Sequence, residues 1–272
     1  MGDQVIDLLA EEWGRIGELA EGLSEEQWKA PIALEGWTVQ DCVSHVAGVE
    51  ASLLGDPTPE ADIAHLSYVT GPFQQMIEVP VQHRRSWTGD QVLDDYNKVI
   101  ARRVEALRSM PPERFDEISW SPIGEVPYRV FMGVRVFDCW MHEQDMRRAL
   151  EQPGHLSGPV VQESLERFRT ALPFIVVKRA GAPEGSVVLV ETTGDTELDW
   201  RILVDAGKGR LATETDSPAG EPTVALSLPF STLVALGGGR WSAGQAADAG
   251  GVTITGDTSL GERILANLAF TP

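Results

Sequence analysis

Asp138-Cys139-Trp140-Met141-His142-Glu143-Gln144-Asp145 is the stretch that decides how this chain is read. At helical spacing Asp138, His142 and Asp145 share one face, and Phe131, Val134 and Ala149 continue that face as an apolar stripe. Such a stripe is buried, so the carboxylates and the imidazole that interrupt it need partners, because an unpaired buried carboxylate is costly. A metal ion is one such partner. A second histidine, His45, lies far upstream on another expected helix. Two histidines and one carboxylate on facing helices make a three-ligand set with open coordination positions, as catalytic metals require.

Each of these residues also has a plainer reading. His142 can be a core histidine bonded to the backbone, and His45, beside Val46 and Val49, can be a packing residue. Asp145 can orient a ligating imidazole or simply lie on the helix surface. Cys42 and Cys139 each precede a histidine by three, so Cys-x-x-His occurs twice and a closed two-cysteine, two-histidine zinc site competes with the open one. Asp41 has i,i+4 spacing to His45, but a capping role explains it more simply. His65, His83 and His155 fall in expected loops. Arg240, within Gly237-Gly238-Gly239-Arg240-Trp241, is a loop arginine that either binds a carboxylate or faces solvent.

Working outward, residues 3–23 place Val5, Leu9, Trp13, Ile16, Leu19 and Leu23 at helical intervals, with Asp3 as a candidate cap. Thr38-Val39-Gln40-Asp41 reads as a capping box, with Trp37 stapled onto Cys42, and opens a helix that runs to about residue 54 and carries His45. Residues 55–87 contain Pro57, Pro59, Pro72 and Pro80 and read as a long connection with room for a short helix. Thr88-Gly89-Asp90-Gln91 caps a third helix, which Pro111-Pro112 ends, and Pro127 suits the first turn of a fourth that continues to about residue 150. This pattern predicts a four-helix bundle, with a further helix over 159–178 leading out of it. From residue 181 short β-branched runs at 187–190, 200–204, 223–226 and 252–255 read as strands, and 229–236 and 259–268 as helices, the latter with a Ser259-to-Glu262 box. The expected organisation is an α domain over 1–180 followed by a small α+β domain over 181–272.

At 272 residues and 42% hydrophobic content the chain can bury a sizeable core. A formal net charge of −19 argues against nucleic acid and anionic membrane surfaces as partners. No apolar run spans a bilayer, the N-terminus is not signal-like, and two cysteines make no disulfide framework, so the expectation is a soluble cytoplasmic protein. There is no phosphate loop and no Ser-His-Asp signature.

Gly36-Trp37-Thr38-Val39-Gln40-Asp41 followed by His45, the Asp138-x-x-x-His142-x-x-Asp145 motif, and Ile254-Thr255-Gly256-Asp257 before the final helix together resemble the mycothiol-dependent maleylpyruvate isomerase family. The resemblance covers almost the whole chain. It implies a DinB-like metal-binding bundle followed by a sterol-carrier-protein-like α+β domain, with His45, Asp138 and His142 in the three metal-ligand positions. The family's motif has glutamate where this chain has Asp138. Arg240 stands near a C-terminal arginine implicated in substrate handling. The implied cofactors are a divalent metal, zinc first with nickel, iron or manganese as alternatives, and mycothiol. The implied activity is a metal- and thiol-dependent isomerisation or S-transfer on a small-molecule electrophile, carried out by a monomer or homodimer. The rival reading is a metal-stabilised module that binds a small molecule or lipid without chemistry, since one architecture hosts many functions.

Overall fold

The computed structural model describes residues 2–213, 216 and 221–271, with side-chain surroundings from residue 4 onward. The side chain of the candidate cap Asp3 therefore lies outside what is described. Two compact units divide the chain, Met1–His155 and Leu156–Pro272.

The first unit contains α1 (Gly2–Ala20), α2 (Glu25–Trp28), α3 (Val39–Leu53), α4 (Pro72–Arg84), α5 (Gly89–Arg108), a 3-10 turn (Pro112–Asp116), the hairpin strands β1 (Ile118–Ser121) and β2 (Gly124–Pro127), and α6 (Tyr128–Ala149). The apolar stripe of α1 is buried through Leu9, Trp13 and Ile16. Helix α1 packs on α5 and α6, and α3 packs on the same two helices. Both expected N-terminal boxes are present. Asp41 accepts the Thr38 backbone N–H at 2.8 Å, and Thr88 and Gln91 satisfy each other's backbone N–H groups at the start of α5.

Residues 55–87 hold more than the expected connection, because α4 is a 13-residue helix packed on α3. Pro72 occupies its first turn, where a missing N–H costs nothing. The close approach depends on Gly48 of α3, since a Cβ there would sit 2.5 Å from the Cβ of Pro80. Pro127 is not in the first turn of α6 as expected; it closes β2 in an extended conformation and the helix starts at Tyr128.

The second unit opens with α7 (Pro159–Phe174), which runs into a π-helical turn (Ile175–Arg179). Strands β3 (Val187–Thr193), β4 (Asp199–Asp205), β5 (Lys208–Leu211), β6 (Val224–Pro229) and β7 (Thr253–Gly256) form one sheet in the order β5-β4-β3-β6-β7. The β3–β6 pair is parallel and the others are antiparallel. Alternation is clearest in β4, where Trp200, Ile202 and Val204 are buried. Helices α8 (Phe230–Gly237), α9 (Ala243–Ala249) and α10 (Thr258–Ala266) complete the unit. The cap of α10 is Asp257, which accepts the Leu260 N–H at 3.0 Å, so the helix begins before the expected Ser259 box.

Candidate metal centre

His45 comes from the second turn of α3, and Asp138 and His142 from successive turns of α6, so packing of α3 on α6 brings together residues 93 apart in sequence. His45, Asp138 and His142 each offer a ligand atom, and these atoms all lie within 4.8 Å of one another. His45 Nε2 stands 3.2 Å from Asp138 Oδ2, and His142 Nε2 stands 3.8 Å from Asp138 Oδ1. Both histidines are buried, whereas the Asp138 side chain is 33% exposed and opens the centre on one side.

Burial disfavours an imidazolium at His45 and, despite the opposing pull of Asp138, pushes its pKa down to about 4. Burial would raise the Asp138 carboxyl, but the Arg135 guanidinium, His45 and His142 outweigh it and hold the group well below the usual carboxylate range. A neutral imidazole and an ionised carboxylate are the forms that bind metal. The Nδ1 atoms of both histidines are buried without a hydrogen-bond partner, and His142 Nδ1 faces Asp145 Oδ2 at 3.6 Å. Asp145 is itself held by Arg148 at 2.7 Å, which places it to orient the His142 ring. The donor set therefore fits a divalent cation.

Two further elements shape the centre. Arg135, one turn before Asp138, donates to Asp138 Oδ2 and is anchored on the other side by Glu50, its Nε lying 2.8 Å from Glu50 Oε1. Glu50 also takes Arg103 at 2.8 Å. Trp37 stacks on His142 with ring centroids 5.6 Å apart and lies tilted against His45 at 5.5 Å. Its indole N–H donates to Glu78 of α4 at 3.0 Å, and Glu78 also receives Tyr68 and Arg85. In the sequence Trp37 reads as a staple for Cys42; in the structure its ring forms a wall of the centre. The i−3 spacing of Arg135 from Asp138 is the one sequence signal for this support, while Glu78 lies on the helix that the proline-rich stretch concealed.

The cysteines do not join the converging ligand atoms. Both thiols are buried, and burial raises the Cys139 thiol well above its usual value. His65 is exposed, and His83 lies in the last turn of α4, its ring 5.3 Å from Trp87. His155 is not an isolated loop residue as its position suggested: its side chain is almost fully buried and meets Glu143 and Glu12. Arg240 lies in the second unit, buried, and donates to the Gly238 carbonyl at 2.5 Å and the Thr271 hydroxyl at 3.5 Å.

Comparison with known proteins identifies the family and the fold. Residues 9–147 match the mycothiol maleylpyruvate isomerase N-terminal domain, and residues 178–268 match the SCP-2 sterol transfer family. Two solved structures of a mycothiol-dependent maleylpyruvate isomerase, one of them a histidine-to-alanine mutant, are similar in fold at 18% identity. Their TM-scores are 0.58 and 0.57, and each alignment covers 94% of this chain and 93% of the other. No curated protein sequence matches. The match over residues 9–147, more than half the chain, includes all three converging residues, and the chain belongs to the mycothiol maleylpyruvate isomerase family.

Proposed function

We propose that the chain is a divalent-metal-dependent enzyme that uses a low-molecular-weight thiol, mycothiol by its family, to isomerise a small electrophile or to transfer the thiol to it. The observation that carries this reading is the convergence of His45, Asp138 and His142 within 4.8 Å on two packed helices. A divalent cation held by two neutral imidazoles and one carboxylate keeps net positive charge and lowers the pKa of a thiol that reaches it. Zinc is the first choice for such a donor set, with nickel, iron and manganese as alternatives.

The chain's own residues prepare the centre. His45 stays uncharged at neutral pH because it is buried, so it can offer a ring nitrogen to a cation without first losing an imidazolium proton. Asp138 supplies the negative charge, and Arg135 holds one of its oxygens, leaving Oδ1 toward His142. The Trp37 ring covers the imidazoles and keeps water from that side. Cys139, buried and protonated, is a poor nucleophile, which supports an external thiol as the reacting sulfur. The assignment of Arg240 to substrate handling and a domain boundary near residue 180 belong to the same proposal. The second family match, which begins at residue 178, supports that boundary, whereas the compact units part earlier, between His155 and Leu156.

The test has two stages. Metal content is measured in the wild type and in His45→Ala and His142→Ala, and cobalt-substituted protein is titrated with mycothiol while its visible absorption is followed. Conversion of maleylpyruvate and of a panel of simple electrophiles is then measured with and without thiol and after chelation. The expected result is metal- and thiol-dependent turnover. Turnover indifferent to thiol would point to a hydrolase, and a spectrum insensitive to mycothiol with no turnover would favour the binding module, a reading that the SCP-2 match supports.

A further inference from the structure

Glu12 of α1 is fully buried, and neither of its carboxylate oxygens has a hydrogen-bond partner. It points at a second fully buried carboxylate, Glu143 of α6, and at the imidazole of His155 just beyond that helix. His155 Nδ1 lies 2.6 Å from Glu143 Oε2 and 3.5 Å from Glu12 Oε2, so three donor atoms converge on one small volume. The three groups together offer ligand atoms within 4.8 Å of one another, as the His45 set does. The surroundings hold the donors in place. Arg147 takes the other Glu143 oxygen at 2.7 Å, and the His155 carbonyl is fixed by the Trp140 indole at 2.9 Å and by Gln144 at 3.3 Å.

We propose that Glu12, Glu143 and His155 form a second divalent-cation site, separate from the His45 centre, on the face of α6 that packs against α1. Two carboxylates buried side by side require compensating positive charge, and Arg147, bound to the outer oxygen of Glu143, together with Arg15 offsets the burial of Glu12 only in part. Its burial first, and the neighbouring Glu143 second, push the Glu12 carboxyl well above the usual range, and a cation between the two carboxylates would oppose that shift. His155 then binds through Nδ1 and carries its own proton on Nε2, which faces Glu11 Oε1 at 4.0 Å. Two carboxylates and one imidazole suit a first-row transition ion such as zinc or manganese better than magnesium or calcium, which favour all-oxygen shells of six or more ligands.

The test uses full-length protein, stripped with chelator, equilibrated with zinc and dialysed against metal-free buffer, with bound zinc read by atomic emission. The wild type is expected to retain about two zinc ions per chain, and His142→Ala and Glu12→Gln about one each, with none in the double variant. Gln mimics the protonated form of Glu12, so Glu12→Gln folds without metal, which circular dichroism checks. Zinc should also raise the melting temperature of His142→Ala but not of the double variant. Wild-type zinc content that Glu12→Gln leaves unchanged overturns the site, as does a His142→Ala variant with no zinc and no thermal response to it. A single zinc removed by Glu12→Gln and retained in His142→Ala would uphold this site while refuting the proposed catalytic centre.

Discussion

Asp138 serves three cationic or proton-bearing neighbours at once: His45 and Arg135 converge on Oδ2, and His142 faces Oδ1. Arg135 is the pivot, since it also neutralises the fully buried Glu50. Arg135→Ala leaves both carboxylates under-compensated and should cost the metal-free protein about 3–5 kcal/mol in urea denaturation, the scale for breaking a buried ion pair. The same substitution should cost less in zinc-loaded protein, where the cation supplies part of the missing charge; an equal loss in both forms would remove Asp138 from the ligand set. His45 gives a pH test. Its folded pKa is about 4 against 6.5 for the unfolded chain, so between those values only the unfolded state binds the proton. Metal-free protein should therefore lose up to about 3 kcal/mol as pH falls from 6.5 to 4, and His45→Gln should flatten that slope. Asp138 and His142 are legible in the sequence because i,i+4 spacing on a buried face needs no tertiary information. His155 is not, since it follows Pro153-Gly154 without periodicity. Its one trace is Glu12, a carboxylate set on the buried stripe of Leu9, Trp13 and Ile16.

Between elements, the close contact of α3 with α4 decides whether Glu78 can hold Trp37 over the histidines. Gly48→Ala would drive a methyl group into Pro80 three residues beyond His45. It should destabilise the protein by about 1–3 kcal/mol, the range for overpacking, as measured by thermal or urea unfolding. No loss of stability would show that the contact yields easily. The sequence allowed only a short, unplaced helix where the 13-residue α4 stands, because its apolar residues are sparse and Pro80 interrupts them; Pro72 suits its first turn, and packing on α3 rather than a strong stripe holds it. The β1–β2 hairpin escaped for the opposite reason. Ile118, Trp120 and Ile123 have the composition of buried residues yet are exposed, so no inward alternation marks them. The capping boxes of α3 and α5 were legible because a box is local chemistry over four residues. At α10 the same logic selected Ser259, although Asp257, two residues earlier, is the better acceptor.

At the scale of the molecule the net charge of −19 acts on every element. Repulsion among surface carboxylates opposes folding and is screened by salt, whereas buried pairs such as Glu50 with Arg103 are screened much less. Raising sodium chloride from about 20 to about 200 mM shortens the screening length from roughly 20 to roughly 7 Å, and the melting temperature should rise. A fall would mean that exposed pairs, Arg102 with Asp56 among them, outweigh the repulsion. The order of a helical unit followed by a sheet unit was legible because helical periodicity gives way near residue 181 to short β-branched runs such as Val187-Val188-Leu189-Val190. The strand order β5-β4-β3-β6-β7 was not, because the parallel β3–β6 pair is set by a long connection whose sequence carries no pairing information.

The indole stacked on His142 and tilted against His45 also gives the protein an optical reporter. Any change in the electronic state of those imidazoles is felt by the Trp37 excited state, so cation binding should shift or quench its fluorescence. Subtracting the emission of Trp37→Phe isolates that signal from the remaining tryptophans. Occupancy of the centre can then be followed in real time, in microlitre volumes and without a substrate.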